Sequence, residues 1–151
     1  MTPKNMLFVE DNEIKKLNVG KFLVELFPDS KIDYAGSLMG GVKKVRRSSY
    51  DLIILDMTLP NYEQSTTSRG GGMHPLGGIE FLRQLKRRRI ETKVIVVTQY
   101  ETFGSPPFER DLNDLNKEMS VSFPNNYVGA VYYHATIADW AEHLKKMIGD
   151  I

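Results

Sequence analysis

The chain has 151 residues, a formal net charge of +1 and no cysteine. That length suits one domain with one core, the near-neutral charge gives no overall field for nucleic acid or an anionic membrane, and the missing cysteines exclude disulfides and thiolate chemistry. The opening "MTPKNMLFVED" reaches carboxylates before a signal-peptide apolar segment is complete, and no later run nears the ~18 apolar residues of a membrane span, so a cytoplasmic protein is expected.

In chain order, strand-length apolar runs alternate with helix-length amphipathic stretches. "NMLFVE" (5–10) is followed by a helix predicted over 12–27, with Val19, Phe22, Leu23 and Leu26 on one face and Asp11 or Asn12 as its cap. "KIDYA" (31–35) precedes a helix at 37–47. "DLIILD" (51–56) precedes a polar, glycine-rich stretch and a helix at 78–89, and "KVIVVT" (93–98) precedes a vaguer helix at 107–119. "VGAVYY" (128–133) leads to a last helix at 137–148, started by Thr136 with Asp139 three residues on, and striped by Ile137, Trp140, Leu144 and Ile148. Four of these five runs are almost continuously apolar, as strands covered on both faces of a parallel sheet are. Five such repeats predict an α/β, doubly wound sandwich: a five-stranded parallel sheet with about five flanking helices.

A sheet of this kind places its site outside the carboxyl ends of the strands. The first ends in Glu10-Asp11, the third in Asp56, the fourth in Thr98 and the fifth in Tyr133-His134. Three converging carboxylates repel one another unless a cation lies between them, and a hard, oxygen-liganded ion such as Mg²⁺ suits the inventory. Only His134 stands nearby to favour zinc. An Asp56 oxygen then becomes a nucleophile toward a phosphoryl group, with the Thr98 hydroxyl as a hydrogen-bond donor to it. Taken singly, each acidic residue also reads as an ordinary helix cap.

"MLFVEDN", "YDLIILDMTLP", "GGIEFLRQLK" and "KVIVVT" together resemble the receiver domain of two-component response regulators across essentially the whole chain. The resemblance implies a flavodoxin-like sheet of strand order 2-1-3-4-5, Asp56 as phosphoacceptor, and Mg²⁺ held by Glu10, Asp11, Asp56 and the backbone carbonyl of Thr58. Thr98 would be the switch hydroxyl. Several departures stand beside it. Tyr133 falls where the family has a lysine near the end of the fifth strand, His134 where a proline follows, and Ala130 where a switch aromatic is common; Lys93, Lys117 or an arginine of the inserted loop is then a candidate replacement cation. Gln99 follows Thr98 in place of a small residue, narrowing access to Asp56. An insertion, "NYEQSTTSRGGGMHPLG" (61–77), reads as a flexible flap that lacks the Gly-Lys-Ser/Thr ending of a P-loop, with His74 as an exposed loop residue.

The segment 101–127 is longer than the family's fourth helix and its loops, which points to an unusual partner or switch. The basic runs "VKKVRR" and "LKRRRIETK" read as solvated helix ends, and Tyr132, Tyr133 and Trp140 as core. The expectation is a single receiver-like domain over 1–151 without an output domain. It would accept a phosphoryl group from a sensor histidine kinase or phosphotransfer protein and signal to a protein target, with no nucleic acid or membrane partner. It would be a signalling domain rather than an enzyme, since hydrolytic chemistry needs a general base and only His134 and His74 are near. The alternative is a receiver-like interaction module that works without phosphorylation.

Overall fold

The computed structural model describes residues 1–63 and 72–151. In chain order its elements are β1 (Asn5–Val9), α1 (Glu13–Leu26), β2 (Lys31–Ala35), α2 (Leu38–Arg47), β3 (Leu52–Leu55), β4 (Leu59–Pro60) and β5 (Met73–His74). They continue with α3 (Gly77–Arg87), β6 (Lys93–Thr98), β7 (Thr102–Phe103), β8 (Arg110–Asp111), α4 (Leu112–Ser122), β9 (Tyr127–Tyr132) and α5 (Asp139–Gly149). One parallel sheet runs β2-β1-β3-β6-β9. Counted among themselves, these strands have the expected order 2-1-3-4-5, and five helices flank them.

The central strand shows why the apolar runs look continuous. Leu52 and Ile54 pack toward α1 and α5 with Val19, Leu23 and Leu144, while Ile53 and Leu55 pack toward α2, α3 and α4 with Val42, Phe81 and Leu115. Alternate side chains thus enter two separate apolar layers, so no position of β3 meets water. Register then lines up the strand ends: Val9 pairs with Leu55 and Leu55 with Val96.

Three local expectations need correction. The helix expected at 107–119 spans Leu112–Ser122, because Asp111 caps it by accepting the Asp114 N–H at 2.8 Å, and the preceding chain forms the antiparallel ribbon β7–β8. The last helix begins at Asp139 with no side-chain cap. Asp139 lies in its first position rather than three residues in, so Thr136 cannot form the reciprocal capping box; Ile137 is exposed, off the buried stripe of Trp140, Leu144 and Ile148. The flap expected at 61–77 falls partly outside the described residues. Its described C-terminal part is not plain loop, since Met73–His74 pairs with Leu59–Pro60 as an antiparallel ribbon. No described helix is long and apolar enough to cross a membrane.

Candidate functional site

The acidic residues sit on backbone that the sheet holds. Asp56 N–H donates to Val9 O at 3.0 Å and Glu10 N–H to Ala35 O at 2.9 Å, so each residue just past a strand end is tied to the neighbouring strand. Ligand oxygens from Glu10, Asp11 and Asp56 all lie within 4.8 Å of one another. Glu10 and Asp56 are buried and Asp11 is half-exposed, opening onto a cleft of about 470 Å³ shared with Glu13, Lys16 and Tyr34. Asn12, not Asp11, caps α1, accepting the Lys15 N–H at 3.0 Å.

Burial pushes the Glu10 carboxyl up to about 8 against the pull of the Lys15 ammonium, with the Asp56 charge adding to the rise. Burial, then Asp56, raises the Asp11 carboxyl as well. Loss of hydration is thus the main cause of both rises, and the neighbouring Asp56 charge adds to it. Asp56 Oδ1 accepts the Met57 N–H at 2.8 Å; among the described residues Oδ2 has no such bond. Gly78 brings α3 against this turn: a Cβ there would stand 2.9 Å from Asp56 O and 3.0 Å from Met57 Cα, and its N–H donates to Met57 O at 2.8 Å. Thr58 lies in the same turn, its hydroxyl donating to Pro75 O at 3.0 Å.

A buried cation at this edge that sequence reasoning missed is Lys15. Its Nζ lies 2.6 Å from Glu10 Oε1 and 3.1 Å from Asp56 Oδ1, and donates to Val97 O at 2.5 Å. Neither of the described candidates named for this role lies at the site. Lys93 donates outward to Asn125 O, Lys117 lies on exposed α4 surface, and the only arginine between 61 and 77, at position 69, lies outside the described residues. A signal was present in the sequence. Lys15, Val19 and Leu23 recur at intervals of four, so the buried stripe of α1 begins with a lysine.

Thr98 is buried at the end of β6, its Oγ1 accepting the Tyr100 N–H at 3.2 Å. Gln99, expected to crowd Asp56, instead donates to the Tyr100 hydroxyl. Tyr133 is 3% exposed and belongs to the apolar layer of α1 and α5. Its ring lies 5.2 Å from that of Trp140, and its hydroxyl accepts from Asn18 Nδ2 at 2.9 Å. His134 stacks edge-on with Tyr132. His74 lies in β5, its Nδ1 accepting the Leu76 N–H.

The donor set fits a hard divalent cation. With all three carboxylates ionised, as ligation of a cation requires, they and the Lys15 ammonium carry a formal charge of −2, which one such ion cancels. Oxygen donors alone, without Cys or His among them, suit Mg²⁺.

No family model matches the chain. It is 30% identical over 148 residues to a Detocs response regulatory protein of Enterobacter cloacae, covering 97% of this chain and 99% of that one. The chain is a response-regulator receiver. This receiver is also 38% identical over 141 residues to an uncharacterized protein of Sinorhizobium fredii, covering 92% and 93% of the two chains. Its fold matches that of a CheY-like receiver domain from Methanospirillum hungatei, with a TM-score of 0.58, 21% identity and coverage of 97% and 94%. It matches equally the response regulator TrrA of Thermotoga maritima in complex with Mg²⁺ and beryllium fluoride, with a TM-score of 0.55, 21% identity and coverage of 95% and 98%. The receiver family's phosphoacceptor signalling role comes with that membership.

Proposed function

We propose that this receiver accepts a phosphoryl group on Asp56 in a Mg²⁺-dependent step and signals through protein–protein contact. The observation that carries the reading is the convergence of Glu10, Asp11 and Asp56 at adjoining strand ends. Glu10, Asp11, Asp56 and the Thr58 carbonyl would hold the ion, whose bound charge offsets that of the incoming phosphoryl group. Asp56 Oδ2 attacks the phosphorus of a phosphohistidine on an upstream kinase or phosphotransfer protein. The P–N bond breaks with its electron pair on the imidazole nitrogen, which takes a proton from water. Thr98, buried beside this edge, supplies a hydroxyl to the new phosphoryl oxygens. Residues 1–151 act in this reading as one receiver unit, with 61–77 as an insertion. Incubation with Mg²⁺ and phosphoramidate, followed by intact-mass measurement, should show a single phosphoryl adduct on the wild type and none on Asp56→Ala.

A second reading, a receiver-like module that binds its partner without phosphorylation, draws on the core-packed Tyr133 and on Ala130 at the switch-aromatic position. The two separate at Asp56→Asn. This near-isosteric change leaves partner binding intact in a module and abolishes regulated binding in a phosphoacceptor.

A further inference from the structure

We infer that Lys15, on helix α1, is the cation that contacts the phosphoryl group on Asp56; this rests on the phosphoacceptor reading above. Lys15 is 1% exposed and is the only lysine or arginine buried among the described residues. An ammonium that deep persists only where opposite charge offsets its lost hydration. Here the offset is supplied by the acceptor aspartate itself and by its neighbour Glu10.

The placement follows from helix geometry. Lys15 lies in the first turn of α1, fixed by the Asn12 cap, and Cα–Cβ bonds tilt toward a helix's N-terminus, so its side chain runs back to the carboxyl edge of the sheet. There Nζ stands 6.0 Å from the centroid of the Tyr133 ring. The strand-end position that could have carried a cation therefore supplies an aromatic wall, and the helix supplies the charge.

Lys15 is placed to follow the chemistry. When Asp56 Oδ2 bonds to phosphorus, Oδ1 becomes the carbonyl oxygen of an acyl phosphate and loses its share of negative charge. That charge reappears on the phosphoryl oxygens next to it. An ammonium 3.1 Å from Oδ1, with three donors on a flexible stem, moves with the charge and gives up part of its contact with Asp56. Because Nζ also holds Val97 O next to Thr98, the same movement is felt at the end of β6 and in the first turn of α1.

The test uses the full chain with Mg²⁺ throughout, as wild type, Lys15→Met, Lys15→Gln, Lys15→Ala and Asp56→Ala. Beryllofluoride binding is followed by ¹⁹F NMR, and phosphorylation by phosphoramidate is followed by intact mass. Lys15→Met should weaken beryllofluoride binding roughly tenfold or more and shift the bound fluorine resonances. Methylammonium should restore adduct to Lys15→Ala and not to Asp56→Ala, a response that a folding defect would not give. If Lys15→Met does not fold, Lys15→Gln, which keeps a donor for Val97 O, and the methylammonium rescue decide the matter. Unchanged affinity and fluorine shifts overturn the inference, as does tighter Mg²⁺ binding with undiminished adduct, which would make Lys15 a plug in the metal site. Absence of any Asp56-dependent adduct on the wild type with either probe overturns the phosphoacceptor reading itself.

Discussion

The acidic half of the site and its cationic half are held by different parts of the molecule. Glu10 and Asp56 hang on sheet backbone through bonds to Ala35 O and Val9 O, so strand register alone fixes their spacing. Lys15 reaches the same edge from α1, over Tyr133, and its position depends on how α1 and α5 pack on the sheet. A site built this way keeps its acidic geometry rigid and leaves its cation free to report on helix packing.

The comparison breaks most sharply at the acceptor. Asp56→Ala is expected to abolish the phosphoryl adduct in intact-mass spectra and to lower the melting temperature modestly, because relief of the repulsion with Glu10 and Asp11 is set against loss of one of the two carboxylates that pair the buried Lys15 ammonium. Next comes Asp11→Asn, which should raise the Mg²⁺ concentration for half-saturation roughly tenfold or more in calorimetric titrations, leaving the Lys15 contacts in place.

A smaller effect tests the shared burial of the two halves. The Glu10 carboxyl rises from 4.5 to about 8 on folding, so the folded protein holds a proton that the unfolded chain has released. That contribution to stability is complete below pH 4.5 and is lost as pH rises to about 8. Without metal, the melting temperature should therefore fall across this window, Glu10→Gln should flatten the slope, and Mg²⁺ should protect most at the alkaline end. A rising melting temperature from pH 5 to 8 in metal-free buffer would contradict this. The mildest change is Tyr133→Phe, which removes the bond from Asn18 but keeps the ring. It should cost about 1 kcal/mol in denaturant melts with adduct formation unchanged, which assigns the functional part of Tyr133 to its ring.

The sheet was readable from sequence because four of its five strands carry a compact apolar run, and strand-end carboxylates then fell together by topology. Helix starts were less readable. Asp111 and Thr136 are both plausible caps by residue type, but only Asp111 accepts a bond, and that choice is made by tertiary constraints on the chain before each helix. The ribbons β4–β5 and β7–β8 are two residues per strand, too short to leave a periodic pattern. Lys15 was hidden for a different reason. It stands beside Lys16 in the polar start of α1, and its place on the Val19–Leu23 stripe emerges only when that face is traced back one full turn.

The chain contains a single tryptophan, Trp140. It packs edge-on against Phe22 of α1 at 5.5 Å and beside Tyr133 at 5.2 Å, one side chain removed from the Lys15 ammonium. Its emission therefore comes from one seam, where α1, α5 and the end of β9 meet. The protein carries its own optical gauge for movements of the helix that bears the cation, readable without a label in a stopped-flow instrument.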